Sequence, residues 1–343
     1  MPLFLRLPFH HRRQRIYGQT VFVFAQLRNS VDVRSRFLNF LTFAICGLAV
    51  GFGLSCWLEH TCRAERLAMH WPQVSPGSRW GRCAILMIIT AALFAGYIYA
   101  ASELRVQDID EVQPSAKGRF LRLLYHLVLI SLLVLATATD FDCYIIPDQI
   151  TIAGMFIGLV AASVVGDLQI CHLWVDWSIA VPQLRGPYIP AWYDPHRHWH
   201  ALAWSSAGLI AGASVTGVAR DISSRVLGQQ AMGFGDVTLM AMIGSFVGWQ
   251  AVLLVFLLAP IAGLTVGVMI RLLTGKTYLP YGPWLSLATI FVLFRWKWLW
   301  EHTRLIFSDW LGLSILVGVG SAGFIVLLGL VRLYRAIPVH RYD

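Results

Sequence analysis

Long apolar runs alternate along this chain with short polar joints. Eight runs, at 37–57, 83–101, 120–139, 149–166, 201–219, 251–273, 283–300 and 311–333, carry few charges. Each approaches the 20 or so residues that an α-helix needs to cross a bilayer. A ninth run, 237–249, covers only about 20 Å at the helical rise of 1.5 Å per residue. The pattern predicts an all-α fold: a polytopic integral membrane helical bundle with eight or nine transmembrane helices. Glycines recur inside the runs, at Gly47, Gly51 and Gly53 and again at Gly208 and Gly212. Small residues at such spacing let helices approach closely in lipid.

Composition agrees with that pattern. Apolar residues make up 57% of the 343 positions and charged residues 13%, against about 25% charged in a soluble domain. Mean hydropathy is +0.64. Too little polar surface is available to keep such a chain in water. The net charge of +9 fits attraction to anionic lipid headgroups. A nucleic-acid partner would need a basic face on a soluble domain, and the sequence has none. The six cysteines contain no C-x-x-C pair and outline no disulfide framework. The first 36 residues are Arg-rich, and no small-residue cleavage site ends the first run, so that run is expected to be a retained anchor.

Two acidic stretches lie at run boundaries. Asp140 begins Asp140-Phe141-Asp142-Cys143-Tyr144-Ile145-Ile146-Pro147-Asp148, and Asp236 ends Gly233-Phe234-Gly235-Asp236. A carboxylate at such a boundary is a functional candidate. Two predicted helices separate them, so both acids are expected on one membrane face. The charge count leaves open which face: seven arginines crowd the N-terminal arm, while four in loop 58–82 lie on the acid side.

Paired aspartates that share one proton can hydrolyse a peptide bond, because like charges a few ångströms apart cannot both ionise. Such a pair titrates as a unit. Gly233 and Gly235 leave room for another backbone to come close. Pro147 biases the residue before it to extended geometry, and Asp148 is expected to cap the helix that follows. Asp142, two residues past Asp140, is expected to point elsewhere. Cys143 has no histidine placed to make it a nucleophile. His196, His198 and His200 alternate and would reach a metal only from an extended segment; without a carboxylate shell they are expected to be solvated. The site calls for no metal and no cofactor.

Together these motifs resemble the prepilin peptidases, the type IV leader peptidase family of G-x-G-D membrane aspartic proteases. Asp140, Pro147, Asp148 and Thr151 match one family pattern; Gly233, Gly235, Asp236, Gly248 and Trp249 match the second. Pro280-Tyr281-Gly282-Pro283 stands for a third, Pro-Phe-Gly-Pro. The resemblance spans roughly residues 120–300, the expected catalytic membrane domain. Before it come the arm (1–36) and the first two helices (37–119), and after it an extra helix and basic tail (301–343). It implies an aspartic endopeptidase of the inner (cytoplasmic) membrane, with Asp140 and Asp236 catalytic. Its substrates would be type IV prepilins or the pseudopilins of type II secretion, which lose a short basic leader at the cytoplasmic face just after a glycine that precedes a hydrophobic helix. Thr238 stands where the family has Lys. Gly51-Phe52-Gly53-Leu54-Ser55 only echoes the family's Gly-Ser-Phe-Leu-Asn. Loop 58–82 holds only Cys62, so the Cys-rich insert that goes with N-methylation is missing, which argues against methyltransferase activity.

Other readings exist. A transporter or channel could use Asp140 and Asp236 for protons or cations, yet no internal repeat is visible and both acids lie at a boundary. A presenilin-like protease would carry Tyr-Asp at its first acid, where this chain has Thr139-Asp140, and Pro-Ala-Leu, which this chain lacks. A degenerate peptidase kept as a scaffold is a further reading.

Overall fold

The computed structural model describes residues 38, 40–63, 65–67, 76–175, 189, 192–228, 232–274 and 280–336. The Arg-rich arm therefore lies outside the described residues. Eight helices account for nearly all of the rest. They are α1 (Phe40–Leu67), α2 (Pro76–Ser102), α3 (Ala116–Cys143), α4 (Asp148–Val165), α5 (Arg197–Leu227), α6 (Phe234–Thr274), α7 (Gly282–Ser308) and α8 (Trp310–Ala336). Among the described residues there is no strand, only an isolated bridge between Ile109 and Val112.

Six helices are long and apolar enough to cross a membrane: α1 to α5 and the Phe234–Gly263 part of α6. The pair α7–α8, bent by 97°, makes a seventh if taken as one span. Among the described residues this is fewer than the expected eight or nine, for two physical reasons. Runs 237–249 and 251–273 are one helix, because the Gly248-Trp249 joint kinks α6 without ending it. Runs 283–300 and 311–333 meet at a corner, where the Asp309 carboxylate accepts from the amides of Leu311 and Gly312 and so starts α8.

The kink at Gly248 needs glycine. Its φ is 82°, and a Cβ there would lie 2.1 Å from Nε1 of Trp204 on α5. The small-residue stripe of α5 also packs as expected. A Cβ at Gly208 would sit 2.0 Å from the Gly244 carbonyl oxygen, and one at Gly212 2.2 Å from that of Met240. Gly47 and Gly51 are pressed against the α2 backbone at Ala91 and Met87, whereas Gly53 faces open space.

Helix α6 is the axis of the bundle; Leu239, Met240, Met242, Ile243, Phe246 and Val247 are fully buried. Polar clamps fix its height. The Tyr125 hydroxyl of α3 lies 3.0 Å from the carbonyls of Gly158 on α4 and Ser245 on α6, and Ser205 of α5 donates to the same Ser245 carbonyl. In an apolar bundle such bonds satisfy groups that water cannot reach.

Both turns that matter for the acids are set locally. Tyr144 adopts left-handed geometry (φ 56°) after the last turn of α3, and its N–H returns to the Asp140 carbonyl at 3.1 Å. Pro147, extended, then opens α4. From there α4 and α5 form an out-and-back pair, which returns the chain to the end it left. Sequence positions 58–67 and 76–82, expected as loop, instead extend α1 and α2 beyond their apolar runs.

At the other end of the bundle, the segment after α4 folds inward. Leu168, Ile170 and Cys171 are buried, and the indoles of Trp249 and Trp296 donate to the carbonyls of Leu173 and Ile170.

Candidate active site

Asp140 lies in the last turn of α3 and is 6% exposed. Its Oδ2 accepts a hydrogen bond from the backbone N–H of Gly282 at 3.1 Å. Gly282 is the first residue of α7 and Pro283 follows it in the first turn. A helix start offers unpaired amides and the positive end of the macrodipole, so a carboxylate is well held there. A Cβ at Gly282 would come within 2.6 Å of Asp140 Oδ2 and 2.8 Å of Ile146 Cδ1. A side chain here would displace both groups.

Asp236 occupies the first turn of α6 and is 7% exposed. Its carboxylate accepts from the backbone N–H of Gly233, the opening residue of the G-x-G-D stretch. Gly235 lets Ile146 come close: a Cβ there would be 3.1 Å from that of Ile146. Ile146 therefore sits between the turn that carries Asp236 and the start of α7 that holds Asp140. Asp140 and Asp236 are near enough for their charges to act on each other. The two acids, expected on one membrane face, are thus brought to one end of the bundle.

Tyr281 was not singled out from the sequence. Burial, and after it the charge of Asp236, pushes its phenol above the usual range. Its signal was a hydroxyl where the motif it resembles has phenylalanine.

The supporting residues divide. Pro280 and Pro283 are buried at the entry to α7. Thr151 is buried and its hydroxyl donates to the Asp148 carbonyl at 3.4 Å. Thr238 donates to the Gly235 carbonyl at 3.1 Å, tying down the turn that carries Asp236. Asp148 departs from expectation: Pro147 is the cap residue and no side-chain cap bond forms. Asp148 is instead exposed in the first turn of α4, where its charge faces the positive end of the helix.

Asp142 points away from the pair, as expected. It forms ion pairs with Arg66 of α1, at 3.6 Å, and Arg82 of α2. Arg82 in turn pairs with Glu59 at 3.1 Å. Cys143 is buried against the thiol of Cys62, not a histidine. The three alternating histidines do not line up, because the segment is helical from Arg197. His198 bonds the Ser163 carbonyl, while His200, expected to be solvated, is buried beside His172. Among the described residues no group of three or more His, Cys, Asp or Glu side chains could hold a metal ion.

Two buried carboxylates from segments almost a hundred residues apart, each held by a backbone amide, form a site able to activate water. Residues 127–268 match the type IV leader peptidase family, a segment that begins inside α3, ends inside α6 and contains both acids. The chain carries a type IV leader peptidase domain. Similar proteins include three named "Prepilin leader peptidase/N-methyltransferase". That of Pectobacterium carotovorum subsp. carotovorum is 27% identical over 48% of this chain and 49% of its own length. The Pseudomonas putida protein is 25% identical over 67% and 61%, and that of Myxococcus xanthus 30% over 44% and 35%. This chain thus spans roughly half the length of the relatives it matches. No solved structure matches it. The Pro280–Pro283 stretch, whose Gly282 holds Asp140, lies beyond the segment that matches the leader peptidase family.

Proposed function

We propose that this leader peptidase domain is an aspartic endopeptidase that removes the leader of type IV prepilins or pseudopilins at the cytoplasmic membrane face. The observation that carries the reading is the convergence of Asp140 and Asp236, both buried and electrostatically coupled, at one end of an apolar bundle.

The pair shares a proton. The ionised carboxylate takes a proton from a water molecule, whose oxygen attacks the scissile carbonyl carbon. The protonated carboxyl hydrogen-bonds the carbonyl oxygen and passes its proton to it, giving a neutral tetrahedral diol. Collapse breaks the C–N bond as the amine nitrogen takes a proton from the carboxyl that water protonated, while one diol hydroxyl returns its proton to the other carboxylate and becomes the new carbonyl. Both members then hold the protons they began with, and no acyl-enzyme forms. The Gly282 amide orients Asp140, and Thr238 holds the turn under Asp236. The arginines of the α1 and α2 extensions lie on the acid side and support a cytoplasmic facing.

Co-expression with a type IV prepilin, read as a mobility shift on a gel, tests this. Asp140→Asn and Asp236→Asn each abolish the shift. Full processing by Asp236→Asn would overturn the assignment. Mass measurement of the new N-terminus in the same experiment reads out methylation, which this chain is expected not to perform.

A further inference from the structure

A cleft of about 420 Å³, floored by α3 and walled by α2 and α7, reaches Phe141 and Pro283, the chain neighbours of Asp140 and Gly282, although neither acid lines it. Its lining follows helical stripes: Arg82, Ile85, Leu86, Ile89 and Leu93 on α2 face Pro283, Ser286, Leu287 and Ile290 on α7. From Arg82 to Leu93 the α2 stripe extends for roughly 16 Å, or three turns. We propose that this cleft seats the apolar helix of the substrate that follows the scissile bond. The proposal rests on the peptidase reading above and names where the helix of that substrate lies.

Three features select this occupant. The first is continuity with the acid site. The α7 wall begins at Pro283, next to the Gly282 amide that holds Asp140, and the α3 floor ends at Phe141 and Asp142. A helix in the cleft therefore has one end beside the turn that carries Asp140, and the rest runs along α2 and α7 away from it. The second is size. A cylinder 10 Å across and one 5.4 Å turn tall encloses roughly 420 Å³. The cleft thus admits one face of a helix over three turns and leaves the other face to lipid. Ile85, Ile89 and Leu287, each around half exposed, form its open lips.

The third feature separates a peptide from a lipid chain. Ser286, one turn beyond Gly282 in the α7 wall, is 2% exposed, and its hydroxyl has no partner among the described residues. An acyl chain has nothing to offer that hydroxyl, whereas a packed helix brings carbonyls and small polar side chains. At the acid end the lining turns polar, at Arg82 and Asp142. The apolar track thus stops where the substrate's leader must leave the hydrocarbon.

Site-specific photocrosslinking tests the proposal. p-Benzoylphenylalanine replaces Ile89 or Leu287 in the cleft, or Phe156 on the exposed face of α4, in the full chain co-expressed with a type IV prepilin. Adducts to the prepilin helix are expected from positions 89 and 287 and not from 156. Phospholipid adducts alone from the cleft positions, or equal prepilin capture at 156, would overturn the proposal. A second measurement uses Ile89→Trp, which overfills the cleft and is expected to raise KM for the prepilin by about tenfold; Phe156→Trp leaves it unchanged. An unaltered KM for Ile89→Trp counts against the cleft. Leader removal by the unsubstituted chain is scored in the same cells. Cleft adducts without cleavage strike the peptidase reading alone; cleavage with lipid-only adducts strikes the cleft alone.

Discussion

The backbone N–H of Gly282 donates to Oδ2 of Asp140 at 3.1 Å, across 142 residues of chain. One acid is thereby fixed by the start of α7, while the other is held by its own glycine turn. The pair is asymmetric: Asp140 depends on a remote helix and Asp236 on local geometry.

Gly282→Ala tests the remote half. A Cβ there would lie 2.6 Å from Asp140 Oδ2, so the carboxylate or the start of α7 must move. Overpacking of this kind costs roughly 1–3 kcal/mol. The expected result is a fall in kcat for prepilin cleavage of about tenfold to a hundredfold, by analogy with small misplacements of catalytic groups. Gly318→Ala, in α8, where a Cβ meets nothing within 4 Å, should leave kcat near that of the parent. Equal kcat for the two variants would remove Gly282 from the site.

Asp142 should answer to stability and not to chemistry. Its partners Arg66 and Arg82 join α1 and α2 to the end of α3. Asp142→Ala takes the carboxylate from the partly buried Arg66 and leaves Arg82 with Glu59 alone, and should lower stability by about 1–3 kcal/mol. Asp142→Asn keeps hydrogen-bonding capacity and should lose less. Thermal unfolding in detergent together with kcat separates the two outcomes: Tm falls in both variants while kcat stays within a fewfold. A loss of kcat as deep as that of Asp140→Asn would make Asp142 part of the chemistry.

The break in α6 offers a third test. Gly248→Ala faces both a left-handed φ and the Trp204 indole, so destabilisation above the ordinary 1 kcal/mol of a point change is expected. Trp204→Phe removes the nitrogen that a Cβ would strike. In the double variant the clash is smaller but the φ strain stays, so the two changes should be less than additive. Strict additivity in urea or thermal unfolding would show that the indole does not set the kink.

Much of this was legible in the sequence, and the boundary is physical. Two intervening helices are enough to return Asp236 to the level of Asp140, and helix parity can be counted from apolar runs. Gly208 and Gly212 announced close packing because their spacing matches a helix face. The Gly282–Asp140 bond could not be read that way, since nothing local links a helix start to an acid 142 residues earlier. Nor could the joining of runs 237–249 and 251–273 into one span: the left-handed φ of Gly248, set against the Trp204 ring, leaves no mark on an apolar pattern. Asp148 looked like a cap by residue type, yet Pro147 took that position and left the carboxylate in solvent. Asp142 and Cys143 found partners on α1, which no motif connects to them.

At the far end of the bundle, Glu111 should govern part of the pH dependence of stability. It lies between α2 and α3, buried, with Oε1 accepting from the Trp300 indole at 2.8 Å and Oε2 without a partner among the described residues. Burial lifts its carboxyl above the usual range, and the Trp300 bond offsets only part of that. Below pH of about 4.3 the group is protonated in both the folded and unfolded chain and costs nothing. As pH rises, the unfolded chain releases its proton first, so the folded state binds more protons and stability falls until the folded group ionises as well. Glu111→Gln keeps an oxygen for Trp300 and removes the charge. Its Tm in detergent should exceed that of the parent at pH 8, by on the order of 2–4 °C per kcal/mol, and the gap should close as the pH is lowered through the carboxylate range. A gap that stays constant between acid and alkaline pH would show that Glu111 acts through packing and not through its charge.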